Sequence, residues 1–123
     1  MDIPIITGWR LIETSPGIAV VIGRVSRRPD RRDGAITVTS PVARLSSDVA
    51  ITRSGSTYRL GDPLPADEAL PPPYAEALLA KILRTGPADP DRLRAASVTV
   101  ERCCRPEAAA GDALLARLRG GDA

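Results

Sequence analysis

An arginine-rich segment is the first feature of the sequence that could do chemistry. Five arginines fall between Arg24 and Gly34, with two aspartates among them. Guanidinium groups bind phosphate and carboxylate oxygens in a bidentate fashion, so this loop could contact a phosphate backbone or an acidic protein surface. The alternative is a solvated loop, which the aspartates favour because they repel phosphate. The arginines are Arg24, Arg27, Arg28, Arg31 and Arg32, and the aspartates are Asp30 and Asp33.

Base stacking is not expected. The arginine-rich loop contains no aromatic residue, and phenylalanine is absent from the whole chain. Proteins that bind single strands stack bases on aromatic side chains. Contact with a duplex backbone stays open, although a formal net charge of +2 is too small to argue for nucleic acid by itself.

The groups that usually perform catalysis are missing. The chain has no histidine, so neither a Ser-His-Asp nor a Cys-His arrangement can be built from it. The only cysteines, Cys103 and Cys104, are adjacent and cannot supply the spaced ligands of a zinc site. The single lysine, Lys81, is expected on the solvated face of a helix. The sequence therefore predicts a protein that is not an enzyme and holds no cofactor or metal.

The cysteine pair leaves two interpretations open. One is a buried small apolar residue with an incidental neighbour. The other is a reactive thiol or a strained vicinal disulfide, because Arg102 and Arg105 lie nearby and could lower a thiol pKa.

The first half of the chain is predicted to form strands, over residues 5–61. Residues 18–25 are β-branched and apolar at successive positions, which predicts a central strand in which Gly23 marks a bulge or a close backbone approach. Residues 35–45 predict an edge strand or one broken at Pro41. Ser54-Gly55-Ser56 predicts a tight hairpin.

The second half reads mainly as helix. A Pro-rich connector over 62–73 precedes a helix over 74–84. A short helix from Pro90, a strand over 97–102 and a helix over 106–119 follow. This order predicts a single α+β domain over 1–123. Its N-terminal half forms an antiparallel sheet or a partly open small β-barrel, and the C-terminal helix-strand-helix segment (74–120) packs its helices on one face.

The strand-rich half carries a distinctive pair of motifs, TSPV at 39–42 and TRSGSTYRLG at 52–61. Across residues 17–62 the chain resembles a group of small uncharacterised bacterial proteins that share a TSPV…TRSGSxYRLG signature. The resemblance implies no activity and no catalytic residue. The motif residues are either structural, or they form a binding edge on which Arg53, Tyr58 and Arg59 meet a partner.

The remaining features suggest where and how the protein acts. No run of 18 apolar residues could cross a membrane, and the N-terminus does not resemble a signal peptide. A cytoplasmic location follows from this and from the sparse cysteines. The broad apolar face of the helix at 74–84 leaves homodimerisation open. We expect a protein-interaction module, such as a bacterial or phage inhibitor or accessory factor of a larger machine. The alternative is a nucleic-acid-binding β-barrel using the Arg24–Arg32 loop.

Overall fold

The computed structural model describes residues 3–46, 48–84, 89–109 and 111–120. Within them the strands come first and the helices follow, so the α+β prediction is confirmed. The strands are β1 (Ile5–Ser15), β2 (Ile18–Ser26), β3 (Ala35–Val38), β4 (Val42–Ser46), β5 (Val49–Thr52) and β6 (Thr57–Leu60). The helices are α1 (Pro72–Leu83), α2 (Pro90–Cys103), a 3-10 turn (Pro106–Ala108) and α3 (Asp112–Leu118).

The six strands form one mixed sheet in the order β3-β2-β1-β6-β5-β4. Four neighbouring pairs are antiparallel, but β1 and β6 run parallel, with Ile5 opposite Arg59 and Ile6 opposite Leu60. The sheet that the sequence predicts as antiparallel is therefore mixed, with this one parallel pair. Side-chain alternation indicates which residues share a face, but it carries no information on the direction of a distant neighbour.

The sheet is strongly curled but does not close into a barrel. Its two edge strands, β3 and β4, are joined only by residues 39–41, which can reach at most about 14 Å from Val38 to Val42. Six strands side by side in a flat sheet would span about 24 Å. The sheet must therefore curl until its edges approach each other. No ladder joins β3 to β4 within the part of the chain that the structure describes, and we call the gap between them the seam.

Pro41 and Thr39 fix the ends of the strands at the seam. Pro41 has no N–H to donate to a ladder, and the strand predicted over 35–45 is interrupted there. Thr39 takes over part of the ladder: its Oγ1 accepts from the Val21 N–H at 3.0 Å, and its own N–H donates to the Val21 carbonyl at 2.9 Å. The Pro41 carbonyl accepts from the Arg53 N–H at 2.8 Å, which ties the linker to the β5–β6 turn.

Helices cover both faces of the sheet, so the prediction that all of them pack on one face was wrong. Successive residues of β2 belong to different hydrophobic clusters, one on each face of the sheet. This arrangement explains why β2 is apolar on both faces. One cluster holds Val21, Leu45, Leu114 and Leu118, and thus α3. The other holds Ile22, Tyr74, Leu78 and Val100, and thus α1 and α2.

Gly23 makes the close backbone approach that the sequence predicts. It lies opposite an irregularity in β1 between Thr7 and Arg10. A Cβ at Gly23 would come within 2.5 Å of Ile6 Cγ2 and 2.9 Å of the Thr7 carbonyl oxygen. Only glycine fits there, because the main chain of β1 occupies the space of a side chain.

The strand predicted over 97–102 is wrong, because α2 runs without a break to Cys103. Asp89 starts the helix by accepting from the Arg92 N–H at 2.7 Å, and Pro90 occupies its first turn. The buried residues Ala96, Val100 and Cys103 recur at helical spacing. Burial of this face outweighs the small helix penalty of the β-branched residues between them.

The rest of the C-terminal half agrees in part with the prediction. The helix predicted over 74–84 is confirmed as α1, starting two residues earlier. The helix predicted over 106–119 is divided into the 3-10 turn and α3. Leu114 and Leu118 face inward as expected, whereas Ala110 lies outside the described residues. The Pro-rich connector is packed, since the Leu70 N–H donates to the Cys104 carbonyl at 2.9 Å and Leu70 is buried.

Candidate anion-binding cleft

The main candidate site is a cleft at the seam of the curled sheet. It has a volume of about 260 Å³ and lies between β3, the start of β6 and α1. We call it the basic cleft, because four of its described lining residues are cationic and none of them is acidic. It is lined by Arg28, Arg31, Ile36, Thr37, Val38, Thr39, Ser40, Ser56, Tyr58, Ala77, Ala80, Lys81 and Arg84.

The four cations come from two elements. Arg28 and Arg31 belong to the loop between β2 and β3. Lys81 lies in the last turn of α1 and Arg84, three residues later, is its C-cap with helical backbone angles, so the two share a face. Within the described ranges, the side chains of Arg31, Lys81 and Arg84 form neither an ion pair nor a hydrogen bond. At three of its four cations, the cleft therefore carries positive charge that no residue of the described ranges neutralises.

Arg28 is held in place by two contacts. Its Nε donates to Asp30 Oδ1 at 2.7 Å, and its Nη1 donates to Tyr58 Oη at 3.2 Å. The Asp30 side chain is 65% exposed, so the ion pair adds little stability. Its effect is to orient the guanidinium. Because Tyr58 Oη accepts this bond, its own hydroxyl hydrogen is available to a ligand.

Two serine hydroxyls also belong to the polar lining, beside those of Thr37 and Thr39. Ser40 Oγ accepts from Ser54 Oγ at 3.3 Å, which leaves the Ser40 hydroxyl free to donate. Ser56 Oγ makes no hydrogen bond to any residue that the structure describes. Thr39 is different, because its hydroxyl is used within the fold, donating to the Ser40 carbonyl at 2.8 Å.

The structure brings together only part of the predicted site. Arg28, Arg31 and Tyr58 meet in the basic cleft, whereas Arg27, Arg32, Arg53 and Arg59 do not line it. Arg27 has a left-handed backbone (φ 62°), and its N–H donates to Asp33 Oδ1. The structure therefore shows Arg27 as a residue that forms the turn of the loop.

Arg24 and the α1 cations also differ from expectation. Arg24 belongs to β2, where its guanidinium lies 5.7 Å from the centre of the Tyr74 ring and donates to the Gly34 carbonyl. Lys81 and Arg84 were not predicted as binding residues, because α1 was interpreted as having a solvated polar face. Their spacing on one face of α1 is a signal, but only the fold reveals what that face meets.

No protein-family model, curated protein or solved structure matches the chain. The resemblance of residues 17–62 to small bacterial proteins stays a prediction.

Two further findings concern membrane-spanning helices and metal-binding groups in the described residues. None of its described helices has the length and apolar character needed to cross a membrane. Within the same residues, no three of the Cys, Asp and Glu side chains gather into a group suited to a metal ion.

Lys81 is electrostatically strained in the free protein. Partial burial lowers its pKa below the ordinary 10.5, and repulsion by Arg84, Arg31 and Arg28 lowers it further. The folded state therefore disfavours the charged lysine relative to the unfolded chain. A site that holds like charges together at a cost to stability is typical of binding sites.

Replacing Lys81 by methionine should therefore stabilise the fold. We expect Lys81→Met to raise the free energy of unfolding at neutral pH by about 0.5 kcal/mol, the scale of partly exposed charge pairs. Urea unfolding measures this change. The gain should shrink as the pH rises from the lowered pKa of Lys81 towards 10.5, because the native lysine then loses its proton on folding. A variant less stable than the native protein at neutral pH would contradict the repulsion.

The cysteines do not have the environment of reactive thiols. Cys103 is buried, and burial raises its thiol pKa by more than the nearby Arg102 lowers it. Burial and the neighbouring Glu101 both raise the pKa of Cys104. The thiolate, which is the reactive form, is thus disfavoured at both positions.

Alkylation should reveal this protection. At neutral pH we expect iodoacetamide to modify both cysteines of the folded protein at least about tenfold more slowly than a free thiol. Denaturant should restore the ordinary rate, which serves as the control. Rapid labelling of either residue in the folded protein, followed by mass spectrometry, would contradict the assignment.

Proposed function

We propose that this protein is a non-catalytic protein-interaction module whose basic cleft binds an acidic segment of a larger protein. It would act as a small inhibitor or accessory factor in a bacterial or phage cytoplasm. The observation that supports this most strongly is the set of three cations, Arg31, Lys81 and Arg84, that have no partner among the described residues and surround one cleft, with no carboxylate in the described part of its lining. Such a site attracts and orients anionic groups.

Two observations favour a protein ligand over nucleic acid. The four cations of the lining surround one compact cleft, whereas a phosphate backbone is typically followed by a longer stripe of basic residues. Tyr58 is only 6% exposed, so it offers no face on which a base could stack.

Binding is also better supported than catalysis. The chain has no histidine, and the cleft lining has no carboxylate, so the commonest general bases are absent from it. Both cysteine thiols have raised pKa values and lie outside the lining. The lining can supply positive charge and hydroxyl donors, which are the means of binding an anion.

A tagged pull-down from the source cell's lysate, with and without nuclease, tests the proposal. We expect a discrete protein that survives nuclease and is released by salt, because the attraction is electrostatic. Its capture should be lost when Arg31 and Lys81 are both replaced by glutamate. Capture that disappears with nuclease would indicate nucleic acid, and capture that is independent of Arg31 and Lys81 would remove the cleft from the interface.

A further inference from the structure

The number and arrangement of donors in the basic cleft exceed what a carboxylate needs. A carboxylate has one negative charge and two oxygens in a plane. The cleft offers four cations, of which Arg28 is paired with Asp30, and besides the engaged hydroxyl of Thr39 it offers those of Thr37, Ser40, Ser56 and Tyr58. A phosphate monoester carries a charge of about −1.5 to −2 at neutral pH, with three terminal oxygens that accept strong hydrogen bonds.

Three donors of the cleft are held in place before a ligand binds. Arg28 is already oriented by Asp30 and Tyr58, and its remaining N–H groups have no partner within the described ranges. The Tyr58 hydroxyl lies next to this guanidinium. Ser40 is held by its bond from Ser54, so its position is also set before a ligand arrives. Preorganised donors of this kind bind an anion without first losing side-chain entropy.

The size of the cleft sets a limit on the ligand. Its volume of about 260 Å³ lies below the range of about 300–1,000 Å³ in which proteins enclose whole small molecules. It is suited to one compact group that projects from a larger body. A tetrahedral group on the end of a side chain has this form.

We infer that the basic cleft binds a phosphate monoester presented by a phosphorylated side chain of the partner protein. This inference rests on the proposed function and specifies the anion that the acidic segment carries. Arg28 and Arg31 contact the phosphate oxygens from the loop side, Lys81 and Arg84 contribute charge from α1, and the hydroxyls of Ser56 and Tyr58 donate hydrogen bonds.

Calorimetry with two short peptides of one sequence tests the inference, one carrying phosphoserine and the other glutamate at its centre. We expect the phosphopeptide to bind at least about tenfold more tightly, with inorganic phosphate as a weaker competitor. Ser56→Ala should reduce affinity for the phosphopeptide, since the Ser56 hydroxyl has no partner in the described fold. Ser97→Ala, on the exposed face of α2, is the matched control and should leave the affinity unchanged.

The other outcomes separate this inference from the function on which it rests. Equal affinity for the two peptides would overturn the phosphate assignment and leave an acidic-segment module intact. If inorganic phosphate binds as tightly as the phosphopeptide, the cleft is a site for free phosphate. The inference that the phosphate is carried by a partner protein is then overturned. If neither peptide binds, the phosphate inference is overturned, and the lysate capture with the Arg31 and Lys81 variant decides separately whether the proposed function fails with it.

Discussion

Gly23→Ala should lower the free energy of unfolding by about 3 kcal/mol, near the upper end of the cost of overpacking a core. The new Cβ would lie 2.5 Å from Ile6 Cγ2, 2.9 Å from the Thr7 carbonyl oxygen and 3.0 Å from Trp9 Cα. Two of these atoms belong to the backbone of β1, which cannot move aside by changing a rotamer. Relief would require β1 and β2 to separate. Urea unfolding followed by circular dichroism measures the loss.

Gly111→Ala is the matched control for this substitution. Gly111 has φ −77°, which any residue adopts, and a Cβ there meets nothing within 4 Å. Because Gly111 is the N-cap of α3, where alanine is less favourable than glycine, its replacement should lower stability by about 0.5–1 kcal/mol, well below the loss expected at Gly23. If the two variants are equally stable, the close approach of β1 and β2 at Gly23 is wrong.

Removing two cations from the basic cleft should weaken partner binding by about 30-fold. Each partly exposed charge is expected to contribute about 1 kcal/mol to attraction of an anion, and about 1.4 kcal/mol corresponds to tenfold in affinity. The test variant combines Arg31→Ala with Lys81→Ala. Neither native side chain has a partner in the described fold, so the variant should still fold. Calorimetry with the captured partner measures the change, and the salt dependence of binding should become shallower.

The loop itself provides the control. Arg27→Ala with Arg32→Ala removes the same charge from loop residues on either side of Arg28 and Arg31 that do not line the cleft. We expect a less than threefold change in affinity, because screening by salt limits long-range effects of exposed charge. Equal losses in the two double variants would show that net charge, and not the cleft, governs binding.

The sequence predicts the parts of this fold that depend on local patterns. The apolar positions on both faces of β2, the turn at 54–56 and the helical spacing in α1 are each visible within a dozen residues. Pro41 and Gly23 act through steric constraints of their own, and both predicted effects are found. In α2, alternating β-branched residues produce the pattern of a strand. The helical spacing of the buried residues Ala96, Val100 and Cys103 extends beyond that run, so the run alone does not reveal the helix.

The basic cleft could be predicted only in part. The arginine-rich loop and Tyr58 stand out in the sequence, but Arg28 and Tyr58 meet only because the sheet curls at the seam. The contributions of Lys81 and Arg84 depend on how α1 packs beside β3, which is a tertiary arrangement. Similarly, the parallel pairing of β1 with β6 joins distant segments, and no local period encodes it.

The most direct test of the basic cleft is to map an acidic ligand on the isotope-labelled protein by NMR. The probe is a short glutamate-rich peptide carrying a phosphoserine, titrated at moderate salt. The account predicts chemical-shift changes centred on Arg31, Ser56 and Lys81, with little change at Arg53 and Arg59 on the exposed surface. Shifts spread evenly over exposed arginines, or centred on Arg53 and Arg59, would contradict the account and place the interface outside the cleft.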